Sequence, residues 1–178
     1  MIKLAAKMKE AGKETYIEVV TYTEEGCLEG AKLAYECGFD YLTGALPFDS
    51  VFEYAKEHNL KYSPFCGKVG GSPVELTGSI DEIVSSAKEC IEKGADGVDL
   101  TAYRYADGDP IELTKAIVDA IGADKVCIAG SIGNEERMNQ MKDAGVEYTM
   151  GSALFNANFV EGGTFRENLE YVLNYLSK

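Results

Sequence analysis

Apolar and polar residues alternate in short runs along this chain, and each run gives way to a stretch with helical spacing. The runs 16–22 (YIEVVTY), 41–46 (YLTGAL), 61–66 (KYSPFC), 97–103 (GVDLTAY), 125–132 and 146–152 are rich in β-branched and aromatic residues and predict six strands. Apolar residues three and four apart predict helices over 2–11, 25–37, 49–58, 80–93, 110–121 and 164–177, with one more between the fifth and sixth strands. Residues 67–79 read as a long loop. Boundary residues agree with this division. Ser79 and Glu82 form a capping box, Pro110 opens a helix, and Asn59 closes one. The turns Cys37-Gly38-Phe39-Asp40, Lys93-Gly94-Ala95-Asp96 and Ala144-Gly145-Val146-Glu147 are near-copies, each placing a glycine where a helix ends.

Strands alternating with helices of this length imply βα crossovers and a parallel sheet. The regular repetition favours an α/β fold of the parallel (β/α) barrel type over a doubly wound sheet. No G-x-G-x-x-G follows the first strand, which leaves the dinucleotide-binding version little support. The expectation is a single (β/α)-barrel domain over 1–178, short at its N-terminus. Six strands fall short of the eight that close such a barrel, so the first two are expected to be missing or supplied otherwise. Two open strand edges invite pairing, which makes a homo-oligomer the expected state.

Composition narrows the function classes. The chain has 178 residues and a formal net charge of -13, which disfavours nucleic acid as a partner. No run of eighteen apolar residues occurs, and the N-terminus MIKLAAKMKEAGK lacks a signal peptide's apolar stretch, so a cytoplasmic location without membrane attachment is expected. The five cysteines are odd in number, widely spaced and contain no C-x-x-C, which argues against a disulfide framework and a zinc site. No cofactor is expected.

The segment 125–155 (KVCIAGSIGNEERMNQMKDAGVEYTMGSALF) repeats one device. Two successive strands break into Gly130-Ser131 and Gly151-Ser152. Backbone N–H groups in glycine turns can face an anion, and a following helix N-terminus adds partial positive charge. This segment resembles the last two βα units of phosphate-binding TIM barrels, among them the ribulose-phosphate-binding group, the N-acetylmannosamine-6-phosphate epimerases and the histidine-biosynthesis isomerases. The resemblance implies that the backbones at Gly130, Ser131, Gly151 and Ser152 hold a substrate phosphate. The strand motif Asp-x-Lys of the sugar-phosphate decarboxylases is absent.

Polar residues inside the strands supply the candidate chemistry. Glu18 and Asp99 sit mid-strand, where a carboxylate is costly unless it faces a lumen or a cation. Both are candidate acid/base groups. Lys68, among three glycines in PFCGKVGG, is a candidate phosphate clamp, electrophile or imine-forming amine. Arg104, just past the fourth strand, is a candidate anion ligand, with Tyr103 and Tyr105 placed to flank a sugar or ring. Thr43 and Thr101 are candidate substrate contacts. His58, the only histidine, reads as a helix-end residue, and Cys66 as core. The resulting expectation is an enzyme acting on a small phosphorylated sugar or keto acid, either an isomerase or epimerase moving a proton next to a carbonyl, or a lyase of the aldolase kind. The alternative is a non-catalytic metabolite sensor similar to the glycerol-3-phosphate-responsive antiterminators, or a fragment that does not act alone.

Overall fold

The computed structural model describes residues 1–177. Helix α1 (Ile2–Glu10) precedes β1 (Tyr16–Glu18), α2 (Glu24–Glu36), β2 (Tyr41–Thr43), α3 (Asp49–His58) and β3 (Lys61–Ser63). A hairpin follows, β4 (Lys68–Gly70) and β5 (Glu75–Thr77). Then come α4 (Ile80–Glu92), β6 (Val98–Leu100), α5 (Pro110–Ile121), β7 (Val126–Ile128), α6 (Glu135–Ala144), β8 (Glu147–Tyr148), α7 (Ser152–Phe155) and α8 (Phe165–Leu176).

Local chemistry sets these boundaries. Ser79 Oγ accepts the Glu82 amide while the Glu82 carboxylate accepts the Ser79 amide at 2.7 Å, so both partners of the capping box engage at the start of α4. Asp109 takes two amides of the first turn of α5, and Pro110 fills the position that needs no donor. Asn59 ends α3 in the left-handed region at φ 52°.

The strands β1-β2-β3 pair in parallel, as do β6-β7-β8. A bridge between Phe65 and Asp99 joins the two ladders, and the Asp99 amide donates to Pro64 O at 2.8 Å. The result is six parallel strands in chain order. Among the described residues no pairing joins β1 to β8. The two edges lie near enough for the Glu147 charge on β8 to help raise the Tyr16 hydroxyl on β1, after burial and the Tyr41 and Glu14 charges. The fold is therefore an α/β barrel left open at one seam. The helices pack outside it. Val98, Leu100 and Ile128 meet Leu113 and Ile117 of α5, while Leu42 and Tyr62 meet Ala31 and Val51 of α2 and α3. Alternate residues point the other way, into a polar lumen. No helix among the described residues is long and apolar enough to cross a membrane.

The segment expected as a loop holds a hairpin instead. Val69 and Leu76 turn inward to the core, whereas Lys68 and Thr77 pair on the outer face. Leu76 bridges Tyr105, and at the tip the Tyr22 hydroxyl donates to Gly71 O at 2.7 Å. The hairpin thus arches between the C-terminal ends of β6 and β1. Hydrogen bonding to its two neighbours, more than its own Gly- and Pro-containing sequence, makes these residues extended.

Candidate active site

The N-terminal end of the lumen is closed by a stack. Tyr16 lies flat on Tyr41 with centroids 4.3 Å apart, and Lys61 Nζ sits over the Tyr41 ring and donates to the Tyr41 hydroxyl oxygen at 2.8 Å. Register then places Glu18, Thr43 and Ser63 one level higher, and Asp99, Cys127 and Glu147 across from them.

Asp99 is the most constrained group here. It is only 3% exposed, and its Oδ1 has no hydrogen-bond partner; the nearby buried Thr101 Oγ1 also lacks one. Burial holds the Asp99 carboxyl well above the usual carboxylate range, the Glu18 charge pushes it further the same way, and Arg104 opposes them. These influences favour the protonated form of Asp99, in which it can donate. Cys127, two positions from the lumen's mouth on β7, is pushed up to about 12 by burial and by the same carboxylates, so its thiol stays protonated too.

Above this level the chain forms a cup. Arg104 follows β6 and lays its guanidinium on Gly130, where an added Cβ would stand 2.7 Å from Cζ and Nε. Gly130 also has φ 82°, a backbone conformation that favours glycine, while the Arg104 side chain is free to shift. Arg104 Nε donates to Ser131 Oγ at 3.3 Å. Among the described residues Arg104 makes no ion pair, because the acids next to it in sequence work elsewhere: Asp107 accepts the Gly78 amide and Asp109 caps α5. Gly151 differs from Gly130. Its φ is -130°, and a Cβ there would meet nothing within 4 Å, so the cup is roomy on that side.

Several expected residues therefore converge. Glu18, Thr43, Asp99 and Thr101 share the lumen, and Arg104, Gly130 and Ser131 share its rim, with Gly151-Ser152 at the end of the next strand. Glu18 differs from its expected setting: it lies on the open edge and is exposed rather than buried. Lys68 is not brought to the lumen. It is exposed on the outer face of the hairpin, and its charge acts on Glu82. Tyr103 and Tyr105 flank no open space, since the first supports Arg137 and the second donates to Gly78 O at 2.8 Å.

Arg137 escaped the reading of the sequence. Its guanidinium stacks on Tyr103 with Cζ 4.5 Å from the ring centroid and donates to the Ser131 carbonyl. Ser131, at φ 62°, thus sits between two arginines. Arg137 falls in a charged run, NEERMNQMKD, that looks like any solvated helix face, so only its partners reveal it. A depression of about 620 Å³ lies at the opposite end of the strands. Two of its lining groups are engaged: the Tyr62 amide donates to Asp96, and Lys93 bridges Asp49 and Glu89. It contains none of Glu18, Asp99, Arg104 or the two Gly-Ser turns.

The architecture recurs in solved barrel structures. A native KDPGal structure matches with a TM-score of 0.68 and 17% identity over 99% of this chain and 74% of that one. FabK from Thermotoga maritima matches at 0.59 and 17% identity, covering 85% of this chain and 46% of its own. A tetrameric deoxyribose phosphate aldolase from Aeropyrum pernix matches at 0.52 and 15% identity, over 80% and 63%. These likenesses define the class, an α/β protein of the TIM-barrel type, and at such identities they show the fold alone. No protein-family model and no curated protein matches the sequence.

Proposed function

We propose that this chain is an enzyme that acts on a small phosphorylated sugar or keto acid and moves a proton next to its carbonyl. One observation carries the reading. A buried carboxyl with an unpartnered oxygen, held toward its protonated form, lies near an unpaired arginine at a glycine-rich strand end. In this reading the phosphate rests on the backbones of Gly130, Ser131, Gly151 and Ser152, with Arg104 completing its neutralisation. Thr43 and Thr101 take substrate hydroxyls. The Glu18 carboxylate removes a proton from the carbon beside the carbonyl, the electron pair forms the enol double bond, and the Asp99 proton passes to the carbonyl oxygen. Return of a proton from Glu18 to the former carbonyl carbon, and of the neighbouring hydroxyl's proton to Asp99, gives the isomer; an epimer requires the proton to reach the original carbon from the opposite face.

Aldol-type cleavage is the second reading, favoured by the aldolase among the fold neighbours. Here Glu18 takes a hydroxyl proton, the carbon–carbon bond breaks, and Asp99 protonates the resulting enolate oxygen. The outward position of Lys68 speaks against an imine route.

The test is proton exchange in D2O followed by NMR across a panel of phosphorylated ketoses and keto acids. Loss of one C–H signal is expected, abolished by Asp99→Asn and by Glu18→Gln. Inorganic phosphate should still raise the melting temperature of both variants. Stabilisation by a sugar phosphate with neither exchange nor cleavage would overturn catalysis and leave the sensor. Exchange unaffected by either variant would overturn the assigned roles.

A further inference from the structure

Ser131 holds a backbone conformation that needs support. Its φ of 62° crowds an L side chain, and such strain persists only where neighbours fix it. Two neighbours do so. Arg104 Nε donates to Ser131 Oγ at 3.3 Å, and Arg137 donates to the Ser131 carbonyl. Arg137 is itself held. Its Cζ lies 4.5 Å from the centroid of the Tyr103 ring, and the Tyr103 hydroxyl donates to Gln140 Oε1 at 2.5 Å. A ring beyond the end of β6, two side chains of α6 and one carbonyl in the turn after β7 thus form a single latch.

The latch fixes more than a carbonyl. A trans peptide unit is planar, so its C=O and N–H point in opposite directions. With the Ser131 oxygen turned to Arg137, the Ile132 N–H points away from Arg137. Among the described residues that amide donates to no protein acceptor, and neither do the amides of Gly130, Ser131 and Gly133. Successive free amides in such a turn form a concavity suited to an anion. One residue below, the Ala129 amide donates to Leu100 O at 3.0 Å, which sets Thr101 beside Ala129. Thr101 shares the lumen face with Asp99, is 2% exposed, and has no partner for its Oγ1. Arg137, by contrast, comes from α6, whose Met138 and Met141 pack on the outer face of the sheet.

We propose that Arg137, braced by Tyr103, is a positioning residue of the cup, and that the Ile132 amide it aims is a phosphate ligand in addition to the two Gly-Ser pairs. The inference rests on the phosphate reading of this site. The two arginines then divide the work. Arg104 makes no ion pair among the described residues and supplies charge to the ligand. Arg137 gives its donor to a carbonyl and its face to a ring, and the carboxylates of Glu135 and Glu136 stand beside it in the first turn of α6. It therefore acts through the shape of the turn.

Titration of the isotope-labelled full chain with inorganic phosphate, followed by NMR, reads both parts. The Ile132 amide signal should shift as phosphate binds. Tyr103→Leu removes the brace and keeps the arginine charge, and Arg137→Lys keeps the charge without the planar fork. Each should weaken phosphate binding by about three- to thirtyfold, the range of a cation–π contact converted to affinity. Together they should cost no more than the larger single effect, because both undo one latch. Arg137→Lys, at a half-exposed position, carries the test without disturbing the core. Full affinity in both variants, with loss only in Arg137→Gln, would make Arg137 a simple source of charge and overturn the proposal. So would an Ile132 amide that phosphate leaves unmoved while Arg104→Gln still weakens binding. Either result would leave the cup standing. No binding of phosphate to the unmodified chain at about 10 mM would overturn the cup itself, and this inference with it.

Discussion

Replacing Asp99 by Asn should make the protein more stable as pH rises relative to the unmodified chain. The sign follows from the proton. An aspartate in the unfolded chain ionises near pH 3.9, while the folded Asp99 keeps its proton well above that value because of burial first and the Glu18 charge second. Between these two points the folded state binds one proton that the unfolded state has released. Stability then falls with rising pH by about 1.4 kcal/mol per unit for this one group. Below pH 3.9 both states are protonated and the penalty is absent. Above the folded value both are ionised and the loss is complete. Asn cannot ionise, so it escapes the penalty while keeping the shape. Its own amide leaves a pH-independent offset, which cancels when the two proteins are compared across pH. The assay is urea unfolding of both proteins from pH 4 to pH 7. The stability difference should move in favour of Asn at about 1.4 kcal/mol per unit, and level off only where the pH passes the folded Asp99 value. Glu18→Gln in both backgrounds should move the plateau to lower pH. A difference that is flat over this range, or that moves against Asn, would refute the account of Asp99 as a buried neutral acid.

The two cup glycines should respond unequally. Gly130→Ala should cost about 1–2 kcal/mol for its left-handed backbone alone, and should displace Arg104, whereas Gly151→Ala should stay within about 0.5 kcal/mol; urea midpoints compare them. Arg104→Gln should weaken inorganic phosphate binding by about ten- to a hundredfold, the worth of a charged hydrogen bond of about 1.5–3 kcal/mol, as read by calorimetry. Lys68→Ala should leave turnover unchanged, and borohydride with substrate should trap no adduct on Lys68. Ser79→Ala should lower stability by about 1 kcal/mol through loss of the cap on α4, a change that leaves the lumen untouched.

What could be read from residues alone divides along a physical line. Helix ends were legible, because Ser79, Asn59, Pro110 and the glycines at 38, 94 and 145 act through their own backbone and its nearest neighbours. Asp99 was legible for a related reason: a carboxyl amid Val98 and Leu100 is anomalous wherever the strand goes. The hairpin at 68–77 was not, since its extended shape depends on Tyr22 and Tyr105, which are distant in sequence. Glu18 was placed on the correct face, yet its exposure depends on which strand, if any, lies beyond β1. Arg137 was invisible for the same reason, as its significance lies in Ser131 and Tyr103.

The ladder of strands in chain order has a consequence for how the molecule is made. Every strand of the open barrel pairs only with those just before and after it, so each βα unit can dock on its predecessor as it leaves the ribosome. Contacts between distant parts of the chain, which slow folding through loop-closure entropy, are largely absent from this scheme. The one exception would be the meeting of β1 and β8, the longest-range contact a barrel contains. Because β1 and β8 do not pair, the chain can complete its strand ladder without a search across its full length.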